Sequence, residues 1–125
     1  MTSKFKPVTD AELAVLKLLW ERGPLTARAI REELYPRGTP SDHATVQKLL
    51  ERLESKGCTT RDRSGFAHVF AARVTQQAVV GQQLEALAEK LTDGSLAPLI
   101  MHVVNSKKLS ARDRRELREL FNRRR

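Results

Sequence analysis

Apolar residues recur along the first half of the chain at intervals that build short amphipathic helices. Leu13, Leu16 and Trp20 share one helical face, and Val15 and Leu19 widen it. Just ahead, Thr9-Asp10-Ala11-Glu12 is a capping box, in which the Thr9 hydroxyl accepts from the Glu12 amide and Glu12 reaches back. Pro7 and Val8 close the preceding extended segment, and Gly23-Pro24 stops the helix after about Glu21. Leu25 suits a very short strand. Thr26 caps a second helix running to about Tyr35, with Ala27, Ile30 and Leu34 on its apolar stripe and Arg31, Glu32 and Glu33 opposite. Pro36-Arg37-Gly38-Thr39-Pro40 reads as a turn. Ser41 or Asp42 is the expected cap of a third helix. Its core stripe is Val46, Leu49, Leu50 and Leu53, leaving Thr45, Gln47, Lys48, Glu51 and Arg52 off that stripe. Lys56 favours the C-terminal end of this helix, and Gly57 is placed to end it with positive φ.

The period then changes. Thr59, Thr60 and Arg61 favour an extended chain, Asp62-Arg63-Ser64-Gly65 reads as a hairpin turn, and Phe66 to Ala72 alternates. Phe66, His68 and Phe70 fall on one face, with Ala67, Val69 and Ala71 on the other. Three helices followed by a hairpin is the layout of a winged helix-turn-helix, a module that sets one helix in the major groove of DNA. This domain is expected over residues 1–73. Beyond it, Val80, Leu84, Leu87 and Leu91 repeat at intervals of 4, 3 and 4 along a helix over 75–91, a seam that wants a helical partner. Asp93-Gly94-Ser95 breaks that helix. Leu96, Leu99, Ile100 and Val103 mark another, whose first turn tolerates Pro98. A last helix begins at Ser110-Ala111-Arg112-Asp113 and carries Leu117, Leu120 and Phe121. Residues 74–125 are too few to own a good core, so two copies are expected to bury each other's stripes. The predicted fold is mainly α with a small β-hairpin wing: a winged helix-turn-helix plus a C-terminal helical dimerisation domain.

Charge narrows the partner. The 125 residues carry a net charge of +8, and aromatics are only 5% of the chain. Phosphates need positive charge, whereas single-strand binding leans on stacking rings, so double-stranded DNA fits better. The charge is shared: residues 1–73 hold 13 Lys+Arg and 9 Asp+Glu, and 74–125 hold 10 and 6. Interspersed signs read as solvated folded surface, and only Arg123-Arg124-Arg125 is a pure basic run. The single cysteine, Cys58, excludes an internal disulfide and a Cys-rich metal site. No apolar run approaches membrane-spanning length, and Met1-Thr2-Ser3-Lys4-Phe5 lacks the apolar segment of a signal peptide. A cytoplasmic, nucleoid-associated protein without direct membrane association is expected.

Several residues carry candidate chemistry. Thr45 is placed to meet a phosphate or base, or to serve as a plain first-turn residue. Gln47 matches adenine N6/N7 in a bidentate contact, or is an exposed helix former. His43 reads as a DNA contact or as a solvated histidine. Lys48 and Arg52 suit phosphates, which position rather than specify; Arg52 alternatively pairs with a neighbouring element. Arg61, Arg63 and Ser64 flank the wing tip, where they meet DNA or simply solubilise the turn. Trp20 reads as core. His43, His68 and His102 lack metal-ligand spacing, Cys58 reads as a small buried residue, and no nucleophile–base arrangement or phosphate loop occurs. Neither catalysis, metal nor cofactor is expected.

The order and spacing of several stretches resemble the penicillinase repressor (BlaI/MecI/CopY) family of transcriptional repressors. These are Thr9 to Glu12 with Leu13 to Trp20, Gly23 to Ala27, Thr45 to Leu53, Lys56-Gly57, Gly94 to Leu99, and Leu109-Ser110. The resemblance implies a homodimer that binds an inverted-repeat operator and blocks transcription. In antibiotic-responsive members it also implies a membrane sensor protease that triggers cleavage in the C-terminal domain. The corresponding point is near His102-Val103, which departs from the asparagine–phenylalanine pair of those members. The terminal Cys-x-Cys of the copper-responsive branch is missing. In the reading helix, Ala44 stands where the best-known members have lysine and Gln47 where they have arginine, which implies a different operator sequence. Two other readings of the residues stay open at this point, a winged-helix protein-interaction module and a nonspecific DNA coat.

Overall fold

The computed structural model describes residues 5–124. Residues 1–4 at the start of the chain, and Arg125 of the basic run, lie outside the described residues. The chain divides into two compact units at Gln83/Leu84.

In the first unit, α1 (Asp10–Arg22), α2 (Ala27–Leu34) and α3 (Pro40–Ser55) pack around one core, closed by strands β1 (Leu25–Thr26), β2 (Thr59–Asp62) and β3 (Val69–Ala72). The sheet is antiparallel in the order β1-β3-β2. Leu25 pairs with Phe70, and Arg61 pairs with Phe70 from the other side. Val15, Leu16, Ile30, Val46, Leu50, Leu53 and Cys58 are fully buried. Trp20 lies partly buried against this core, and its Nε1 donates to the Val74 carbonyl at 2.9 Å.

The caps explain the boundaries. The Thr9/Glu12 capping box forms as its spacing predicts. The cap of α3 differs from expectation: it is Thr39, whose hydroxyl accepts from Asp42, with Pro40 in the first turn. The Thr-Pro pair that reads as loop in sequence is a favourable helix start, because proline's missing N–H is not needed there. At the other end of α3, Gly57 has φ +83°, its N–H donates to Glu54, and the Cys58 N–H reaches back to Leu53, a Schellman closure.

The first unit does not stop at Arg73. The start of α4 (Gln76–Thr92) belongs to it: Val79 is buried in its core, and buried Gln82 donates from Nε2 to the Phe5 carbonyl at 2.7 Å. Thus α4 carries a buried face at Val79 and Gln82 beside the exposed stripe that the heptad-like spacing picks out.

The second unit comprises the rest of α4, α5 (Ala97–Asn105) and α6 (Ala111–Arg123). Ser110 and Asp113 form the capping box of α6. Asp93 and Gly94 turn the chain with positive φ. Ala88 is the one buried side chain among the described residues of this unit.

Candidate nucleic-acid interface

The buried stripe of α3 fixes which of its side chains face outward. Val46, Leu49, Leu50 and Leu53 lock one side against α1, α2 and the sheet. Helical geometry then turns His43, Thr45, Lys48 and Arg52 to the surface, all exposed, with Gln47 half-buried beside them. No direct ion pair holds the charge of Lys48 or of Arg52 among the described residues. The Thr45 hydroxyl donates to the Ser41 carbonyl at 2.9 Å, which leaves its oxygen lone pairs and methyl group facing out.

The wing stands beside the end of α3 and is tied to it by Glu54. Arg61 Nη2 lies 3.0 Å from Glu54 Oε1, and Arg63 Nη2 lies 3.9 Å from Oε2. Arg61 is nearly buried and stacks over its cross-strand neighbour Phe70, 4.7 Å from the ring centre. The sequence places Arg61 and Arg63 together at the wing tip, but the fold gives them different surroundings. Arg61 is held at the wing's root, while the Arg63 side chain is 62% exposed. Glu54 gives no signal in sequence, because its partners lie on a different element.

The hairpin is shorter than its alternation implies. Strand β3 begins at Val69, so Phe66 and His68 lie in a loop rather than on a strand face with Phe70. The backbone cause is local: Asp62 Oδ1 accepts from the Ser64 amide at 2.9 Å, an Asx turn that takes the chain out of the ladder. The hydrogen bonds from Ser64 hold the Asp62 carboxyl below its ordinary range.

Behind α3, Cys58 is fully buried, and burial pushes its thiol pKa up, an environment that keeps it protonated and unreactive. Among the described residues, His43, His68 and His102 join no cluster able to hold a metal. No helix among them is long and apolar enough to cross a membrane.

In the second unit the predicted seam is open. Val80, which begins that seam in the first unit, and Leu84, Leu87, Leu91, Leu96, Ile100, Val103, Leu120 and Phe121 are all exposed; Leu99 and Leu117 are half-buried. The same region exposes Met101 and Val104, which the sequence pattern does not single out.

Three helices, a short bridging strand and a wing pinned beside an outward-facing third helix define a winged helix-turn-helix. Residues 8–123 match the family model described as Penicillinase repressor, and the chain belongs to that family of transcriptional repressors, which are not enzymes. The penicillinase repressor of Bacillus licheniformis is 23% identical over 118 residues, covering 94% of this chain and 91% of that protein. Transcriptional regulator BlaI of Mycobacterium tuberculosis is 32% identical over 104 residues, covering 82% and 75%. The solution structure of monomeric Bacillus licheniformis BlaI in complex with the blaP half-operator aligns with a TM-score of 0.50 at 25% identity, over 62% of this chain and 93% of that one.

Proposed function

We propose that this protein represses transcription by binding, as a homodimer, a two-fold-symmetric operator in double-stranded DNA. The observation that carries the reading is the outward face of α3, where exposed Lys48 and Arg52 lack ion-pair partners among the described residues and flank Gln47. A relative of similar fold is solved on a half-operator, which supports the same use of this unit here. In this reading Gln47 reads a base, with His43 and Thr45 near the start of α3. Lys48, Arg52, Arg63 and Ser64 meet backbone phosphates, and Arg61 holds the wing in place rather than touching DNA. The residues from Val80 to Phe121 that remain exposed form the dimer face, because a lone copy leaves a run of large apolar side chains in water. The cleavage point implied for antibiotic-responsive relatives, His102-Val103, lies inside α5, so a sensor protease acting there must first unwind that helix.

Two substitutions separate base reading from phosphate binding. Gln47→Ala is expected to cost roughly 1–3 kcal/mol of discrimination between operator and mismatched DNA, if its contact is bidentate to adenine. Lys48→Ala is expected to weaken all DNAs alike and to reduce the slope of log affinity against log salt by about 1 for the phosphate it no longer neutralises. Titrations on operator and scrambled DNA over a salt series check both. Equal weakening on every DNA by Gln47→Ala contradicts the base contact.

A further inference from the structure

Phe66 is a large apolar side chain at the wing apex with no packing partner among the described residues: its relative exposure is 108%. Phe70, four residues on, is buried in the core at 2%. The sheet therefore holds one ring of the alternating pattern and ejects the other. Around Phe66 the chain is narrow. Ser64, Gly65 and Ala67 are small, and the nearest bulky neighbours, Arg63 and His68, are both exposed. The Asx turn at Asp62 fixes the corner from which this apex projects, and the Glu54–Arg61 contact fixes the wing's root to α3.

We propose that Phe66 is a DNA-contacting residue, an apolar wedge that the wing inserts into the minor groove beside the segment read by α3. This rests on the operator-binding reading given above. The minor groove is only about 6 Å wide, which a single ring flanked by small residues can enter and a bulky loop cannot. Phenylalanine is among the side chains that wedge between base steps there. The exposed Arg63 three residues away in the same loop, and the chain's net charge of +8, favour a polyanion over an apolar protein surface. Such a wedge reads the ease of unstacking a step, so it favours flexible pyrimidine–purine steps at its position.

The test compares full-length wild type, Phe66→Ala and Phe66→Trp on an operator selected with the wild type. Because the ring is fully exposed, Phe66→Ala is expected to leave the thermal midpoint unchanged. Operator affinity falls roughly tenfold per half-site, the scale of removing one aromatic ring from a base. The salt slope is unchanged, because the same phosphates stay neutralised. Phe66→Trp is expected to retain affinity and to show emission that changes on adding operator, above the Trp20 background measured with wild type. Unchanged affinity for Phe66→Ala, or F66W emission indifferent to operator, overturns the wedge. A wild type that enriches no operator overturns the operator reading itself, and the wedge with it. Wild-type binding with silent Phe66 variants overturns the wedge alone.

Discussion

Replacing Lys56 by methionine is expected to lower the free energy of unfolding at pH 7 by about 3 kcal/mol, the scale for stripping one partner from a buried ion pair. Glu12 is fully buried between the N-terminal end of α1 and the C-terminal end of α3, and Lys56 Nζ lies 2.5 Å from its Oε1. Without the ammonium, the carboxylate keeps only the Thr9 amide at 2.9 Å, and Oε2 has no partner among the described residues. The reverse change is milder. Glu12→Gln still accepts from Thr9, and Lys56, whose side chain is 21% exposed, can turn to water, so about 1–2 kcal/mol is expected.

The pair also sets a pH signature. Burial alone raises the Glu12 pKa, but the hydrogen bonds from Lys56 and Thr9 and the charges of Lys56 and Arg52 outweigh it and hold the group below its ordinary value. A lowered folded pKa contributes stability that is present above the unfolded value, about 4.3, and lost as pH falls through the folded one. In Lys56→Met the two lowering effects of Lys56 are gone, so the carboxyl moves up from its wild-type position and the stabilisation it gives above the unfolded value shrinks. The variant's deficit is therefore largest near neutrality and shrinks in acid. Urea unfolding of wild type and both variants across the acid range checks this. Equal deficits for Lys56→Met and Glu12→Gln at every pH contradict the assignment.

The second large effect concerns assembly. Leu84→Glu combined with Leu91→Glu is expected to convert the proposed dimer to a monomer and to weaken operator binding about 100-fold or more, as the two half-sites lose their linkage. Both leucines are exposed in a single chain, at 45% and 61%, so the substitutions remove little packing within it. The winged-helix unit should keep its melting behaviour and bind an isolated half-site as wild type does. Sedimentation together with titrations on full and half operators reads all three quantities. A double variant that remains dimeric places the interface elsewhere.

Much of the winged helix is legible in the sequence because its signals are local. The Thr9/Glu12 box, Thr26 and Gly57 each act within one turn of helix, and the core stripe of α3 repeats within about two. What escapes depends on partners distant in sequence. The Glu12–Lys56 pair spans α1 and the end of α3, and Glu54 binds arginines from the wing. Val79 and Gln82 are hidden because the more regular, exposed leucine repeat of α4 masks the buried face beside it. Phe66 is misplaced by its pattern because alternation continues past the point where the Asx turn has ended the ladder. For the candidate interface, the sequence identifies the outward residues of α3 but does not distinguish the exposed Arg63 from Arg61, which is committed to Glu54 and Phe70.

The decisive measurement is selection of genomic fragments with the purified protein, together with its mass in solution. A dimer that enriches a two-fold-symmetric site is expected. A monomer, or a dimer that enriches no sequence over bulk DNA, contradicts operator binding as a homodimer.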